Sequence, residues 1–195
     1  PDSTRAVSEL RLSFRLRGQG LFAGWTGPRM VHLDIVDYPG EWLLDLALLD
    51  KSYADWSDEV LTRLAKRPEA AEFMATARAE DGGLPRDEVR AQALAAVFTR
   101  YLTAARDAGR ADCTPGRFLL PGDLAGSPVL TFAPLPKPAS VARGCLWREM
   151  ERRYDGYKSR VVQPFFRDHF ARIDRQIVLA DVLGAIHQGP RAVEE

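Results

Sequence analysis

Residues 30–46 read Met-Val-His-Leu-Asp-Ile-Val-Asp-Tyr-Pro-Gly-Glu-Trp-Leu-Leu-Asp-Leu. The first half is a strand pattern: Val31, Leu33, Ile35 and Val36 form a short apolar run in which β-formers dominate, and it predicts a buried strand. The pattern stops at Asp37-Tyr38-Pro39-Gly40. Pro39 has no N–H to give to a sheet ladder, and Gly40 lets the backbone come close to a ligand. Glu41 and Trp42 follow, and helical spacing then begins. An acid at the carboxyl end of a strand, then a glycine turn, then a helix is the layout of an α/β nucleotide site. Open α/β sheets place their binding crevice outside the strand carboxyl ends.

Upstream, Val7, Leu10, Leu12, Phe14 and Leu16 are interleaved with Glu9, Arg11, Ser13 and Arg15, which predicts a strand with one wetter face. Gly18, Gly20 and Gly24 in the following loop loosely mimic a dinucleotide fingerprint. A second strand follows them instead of a helix, so the two strands are expected to form an antiparallel hairpin.

Downstream the spacing turns helical. Residues 43–66 read as helix with a break near Asp50, and Pro68 opens another that runs to about Arg78. Residues 86–108 read as a helix with Val89, Ala93, Val97, Tyr101 and Ala104 or Ala105 on one face and Gly109 as its C-terminal cap. The stretch 113–138 is rich in proline and glycine, with 118–120 and 129–132 as extended candidates and Pro134, Pro136 and Pro138 as a stiff connection. Ser140 is expected to cap a long helix that Pro164 kinks or ends, and Ile177–Leu183 is expected to be a strand. These helices look like an insertion between strands. The expected fold class is therefore α/β. The expected domains are a nucleotide-domain hairpin and turn at 1–45, a mostly helical insertion at 46–172, and a return strand at 173–195.

A chain of 195 residues can bury a substantial core. Its 27 basic and 27 acidic residues balance, which argues against a nucleic-acid partner. Cys113 and Cys145 share no pairing or ligand spacing and read as free thiols of a reducing cytoplasm. No apolar run approaches the roughly 20 residues that span a bilayer.

The run from Asp34 to Asp45 resembles the signature of the YcjX-like family, GTP-binding stress proteins of the P-loop class. The likeness extends in order to Thr4–Arg11, Pro115-Gly-Arg-Phe-Leu-Leu-Pro-Gly-Asp123 and Asp174–Leu183. The resemblance implies part of a P-loop GTPase-like sheet, with strands near 7–16, 30–37 and 175–183, and the ligands GTP or GDP with Mg²⁺. It also implies stress-response work in the cytoplasm or at the periphery of the inner membrane, with an inner-membrane protein as a candidate partner.

Matched onto this sequence, the aspartate that holds Mg²⁺, usually through water, is Asp37, and the glycine whose N–H senses the γ-phosphate is Gly40. Glu41 takes the place of a water-orienting residue, with a first-turn helix acid as its other reading. Thr4 falls where a Mg²⁺-ligating switch threonine sits, and Arg5 beside it is a candidate for cis transition-state charge. The chain holds no Gly-x-x-x-x-Gly-Lys-Ser/Thr loop and no Asn/Thr-Lys-x-Asp segment. In the family the first lies before Pro1 and the second after Glu195, so this chain alone is expected to bind nucleotide poorly and to be inactive as an enzyme. Two other readings stand beside this one. An ATPase of the same class remains open because the base-reading segment is missing. A non-enzymatic module that binds a partner through helices 86–108 and 140–163 needs an exposed apolar face on them.

Overall fold

The computed structural model describes residues 7–16 and 28–177. The chain divides into two compact units, Pro1–Pro164 and Phe165–Glu195.

The first unit opens with the expected antiparallel hairpin: β1 (Ser8–Leu16) pairs with β2 (Arg29–Asp37), with Ser8 opposite Asp37 and Leu16 opposite Arg29. Alternation places Leu10, Leu12 and Phe14 with Ile35, Leu33 and Val31 on one face. The other face carries Arg11 opposite Asp34 and Ser13 opposite His32. The Arg11 guanidinium donates twice to the Asp34 carboxylate, at 2.5 and 2.9 Å. Asp34 is 52% exposed, so its place inside a strand carries no burial cost. The expectation of a buried strand at 30–37 is corrected: Leu33 is 48% exposed and Leu10 54%. Among the described residues β1 and β2 pair only with each other, and a two-stranded ribbon has no second layer to cover it. Of the strand expected near 175–183, residues 178–183 lie outside the described residues and 175–177 join no ladder.

The rest of the first unit is helical. α1 (Gly40–Leu44) continues into a 3₁₀ turn at Asp45–Leu48, and after the expected break comes α2 (Tyr53–Leu64), capped by Ser52. Pro68–Ala70 leads into α3 (Ala71–Ala79). α4 (Glu88–Asp107) starts on Asp87, whose carboxylate accepts the N–H groups of Val89 (2.8 Å) and Arg90 (3.2 Å). α5 (Gly116–Leu119) is a single turn, α6 spans Leu146–Tyr157, a π-helical turn follows at Lys158–Val162, and α7 covers Gln163–Asp168.

An aromatic cluster holds this body together. The Trp56 ring stacks on Tyr154 with centroids 5.0 Å apart, and Phe132 meets Tyr154 edge-on at 5.8 Å. Phe132, Ala133, Pro134 and Leu135 are all buried in a segment that is neither helix nor strand. α2 supplies donors for its carbonyls: the Tyr53 hydroxyl donates to the Ala133 oxygen and the Ser57 hydroxyl to the Leu135 oxygen, both at 2.8 Å. Pro134 has no N–H to leave unsatisfied, so this stretch is buried without a partner strand.

Four expectations in this region are corrected. The buried face of α4 is Ala91, Leu94, Ala95, Phe98, Tyr101, Leu102 and Ala105, while Val89 is 75% exposed. Turning the helix buries the larger Leu94, Phe98 and Leu102, which removes more apolar area from water. Residues 118–120 are not extended, because Phe118 and Leu119 lie in α5. α6 starts at Leu146 and not at Ser140, since Gly144 takes φ +81°, a left-handed conformation incompatible with a helix. Loop carbonyls cap its start, with Leu146 N–H on the Leu84 oxygen (2.8 Å) and Trp147 N–H on the Gly82 oxygen (2.9 Å). Pro164, expected to kink or end the helix, does not end it. The π turn before it shifts the bonding to five residues, Gln163 N–H to the Lys158 oxygen, and α7 continues. The apolar faces of α4 and α6 are committed to the core.

In the second unit the described residues are 165–177. There Arg167 clasps Asp168 (2.8 and 3.0 Å), and Phe170–Arg172 forms a short turn. Among the described residues no helix is long and apolar enough to cross a membrane.

Candidate functional site

The turn after β2 is built by its own sequence. Asp37 ends the strand and is exposed, Tyr38 is half-buried, and Pro39 is buried with φ −56° and ψ 127°, which turns the chain into α1. Gly40 is the first residue of α1. It is exposed, and a Cβ placed on it would meet nothing within 4 Å. The backbone at Gly40 is therefore open to solvent. Glu41 is half-buried and is the acid of the first turn of α1, the place where a carboxylate favours a helix dipole.

Immediately beyond, the turn is anchored to the stretch Pro115–Asp123. Gly116 packs against the backbone of Glu41 so closely that a Cβ on it would stand 2.0 Å from the Glu41 carbonyl oxygen. Only glycine fits there. The buried Trp42 donates its indole N–H to the Leu120 oxygen at 2.9 Å. The Arg117 guanidinium lies 3.2 Å above the Trp42 ring centre, in cation–π contact. Its NH1 reaches the Pro121 oxygen and an Asp123 carboxylate oxygen, each at 3.4 Å.

Asp45 closes the anchor from inside. It is 2% exposed. Oδ1 accepts the Gly116 N–H at 2.8 Å and Oδ2 accepts the Tyr157 hydroxyl at 2.5 Å. Burial pushes its carboxyl up to about 6, against the opposing pull of the Tyr157 hydroxyl, the Gly116 and Arg117 N–H groups and the Arg117 charge. Burial also raises the Tyr157 hydroxyl well above its ordinary value and lowers the Arg117 guanidinium.

Of the residues singled out in the sequence, the structure places Asp37, Gly40 and Glu41 together on one turn. Thr4 and Arg5 lie outside the described residues. His32 is taken by Ser13 (2.9 Å) and lies on the polar face of the ribbon. Among the described residues no group of three or more histidine, cysteine, aspartate or glutamate side chains is placed to hold a metal ion. Asp45, Gly116, Arg117 and Tyr157, which anchor the turn, are not singled out individually in the sequence reading. An acid on the apolar side of a short helix and a Pro-Gly-Arg triplet were the available signals.

Comparisons with known proteins identify the family. The family described as "YcjX-like family, DUF463" matches residues 1–195. A "Ras-like GTPase YcjX" of Escherichia coli (strain K12) is 38% identical over 208 residues, which cover 100% of this chain and 44% of that protein. A "Ras-like GTPase YcjX" of Shewanella oneidensis is 37% identical over 208 residues, which cover 100% of this chain and 43% of that protein. The chain thus spans less than half the length of these relatives. It belongs to the YcjX-like family.

Proposed function

We propose that this chain carries the γ-phosphate-reading turn of a GTP-binding protein and GTPase. The observation that carries the reading is the position of Asp37 and Gly40. Both are exposed at the carboxyl end of β2, with open space over Gly40, in a chain 38% identical to a Ras-like GTPase. Asp37 faces bound Mg²⁺, directly or through water, and the Gly40 N–H meets the γ-phosphate. The donor set fits: Mg²⁺ is ordinarily held by one or two carboxylates, with waters and phosphate oxygens completing its shell, and Asp37 supplies one. When bound, Mg²⁺ neutralises phosphate charge in the transition state.

Glu41 directs its carboxylate from the next position toward the attacking water, and Thr4 and Arg5 add a metal ligand and a cation from the entry to β1. The helical body after the turn is the insertion that moves with the turn. The strands at 7–16 and 30–37 belong to the nucleotide domain, with GTP or GDP as ligand. An inner-membrane protein remains the candidate partner.

The test is Mg²⁺-dependent GTP hydrolysis by the intact protein, with ATP as competitor. Asp37→Ala is expected to reduce hydrolysis at least about a hundredfold, as loss of a metal-holding group in a phosphoryl-transfer site does. Unchanged hydrolysis would remove Asp37 from the site, and equal use of ATP would remove the guanine preference.

A further inference from the structure

We propose that Gly116 and Arg117, with Asp45 and Tyr157, are positioning residues for GTP hydrolysis: they clamp the Asp37–Gly40 turn to the helical body and hold it in its working place. This rests on the reading of the turn given above.

From Gly40 to Asp45 the chain makes little more than one helical turn, about 8 Å. Along that length three consecutive contacts tie it to one short segment. The Glu41 carbonyl lies against Gly116, the Trp42 indole N–H bonds to the Leu120 oxygen, and Asp45 bonds to the Gly116 N–H. Arg117 covers the Trp42 ring from outside. A shift of α1 by even 1 Å toward Gly116 drives backbone into backbone. A shift away breaks two hydrogen bonds to buried groups, which are costly to leave unmade.

The turn therefore moves only together with Pro115–Leu120, and that segment is itself held. Phe118 sits 5.0 Å from Phe132 in the aromatic core, and Asp45 also binds Tyr157, the last residue of α6 before the π turn. The side chains that fix the phosphate-reading turn thus come from three separate stretches of the insertion's core. Misplacing a reacting group by about 1 Å from a remote site costs up to about a hundredfold in rate.

The experiment compares parent, Arg117→Ala, Arg117→Lys and Tyr157→Phe in the intact protein. It measures GTP turnover and the affinity for a fluorescent GTP analogue with Mg²⁺. Arg117→Ala and Tyr157→Phe are expected to lower kcat about tenfold or more with affinity within threefold of the parent. Arg117→Lys, which keeps a cation over Trp42, is expected to recover part of the loss. A merely structural role predicts kcat and affinity falling together with the folded fraction. If the parent hydrolyses GTP and Arg117→Ala and Tyr157→Phe turn over within twofold of it, the clamp is overturned while the GTPase reading stands. If the parent neither binds nor hydrolyses GTP, both are overturned. Should Arg117→Ala fail to fold, Tyr157→Phe alone decides, since it removes one hydroxyl and no volume.

Discussion

The Tyr157 hydroxyl donates to Asp45 at 2.5 Å, and both residues are buried, so a carboxyl group is kept in the core by one phenol and the backbone N–H groups of Gly116 and Arg117. This pairing has a sign that stability measurements can read. Burial raises the folded-state value of Asp45 from 3.8 to about 6, so between those values the folded chain keeps a proton that the unfolded chain has lost. Stability from this group is fully present below about pH 4, falls as pH rises toward 6, and is flat above. Two units amount to about 3 kcal/mol. Asp45→Asn, which mimics the protonated form, is expected to lose this slope. Chemical unfolding of parent and variant between pH 4.5 and 7 checks it, and parallel profiles would refute it.

Glu149 runs the other way. It is 7% exposed, with two bonds from Arg152 at 2.6 and 3.0 Å and one from Arg153 at 2.8 Å. The Arg152 bonds first, then those of Arg153, hold its carboxyl down at about 2. Its contribution is present above about pH 4.5 and is lost as pH falls toward 2. Glu149→Gln is expected to flatten the acid limb of the stability profile below pH 4.5, measured by thermal unfolding. An unaltered acid limb would contradict the assignment.

Arg153 ties three elements together. It donates to Glu149 in α6, to Glu88 at the start of α4, and to the Thr131 carbonyl (3.0 Å) and hydroxyl (2.7 Å). Arg153 is 9% exposed and Glu149 7%, whereas Glu88 is 56% exposed, so removing Arg153 strands one partner that is closed to water. Arg153→Met is expected to cost roughly 3 kcal/mol in urea unfolding. A loss under 1 kcal/mol would show that Arg152 alone satisfies Glu149.

Gly116→Ala is a purely steric test. The added carbon would fall 2.0 Å from the Glu41 carbonyl oxygen, so backbone must move. Overpacking of this kind costs about 1–3 kcal/mol, and a clash with backbone belongs at the upper end. An alanine variant as stable as the parent would mean that α1 yields freely.

The cysteines provide a check on packing. Cys113 and Cys145 are both buried, and burial pushes the Cys113 thiol up to about 11. The expected outcome is almost no alkylation by iodoacetamide at pH 8 in the folded chain and complete reaction in denaturant. Rapid labelling of the folded protein would contradict the burial of these two positions.

The turn was legible in the sequence because its parts are adjacent. A strand pattern, an acid, a proline and a glycine within four residues define it locally. The hairpin and the break after α1 were legible for the same reason. The anchor was not, because its bonds join residues 71, 78 and 112 positions apart, and no local period encodes such distances. The α4 face was misread because an i, i+4 run from Val89 is as regular as the buried one. Side-chain size decided between them. The ribbon's exposure was illegible for another reason: strand pattern reports which face is apolar and not what covers it.

The buried segment through the core has a metric consequence. Tyr53 and Ser57 stand one turn apart on α2, a rise of about 6 Å, and they hold the carbonyls of Ala133 and Leu135, two residues apart. Among the described residues the helix thus serves as a ruler for a chain that pairs with no strand. Sliding the segment by one residue would break both bonds at once. Two hydroxyl groups four residues apart are enough to fix the alignment that a sheet ladder would otherwise supply.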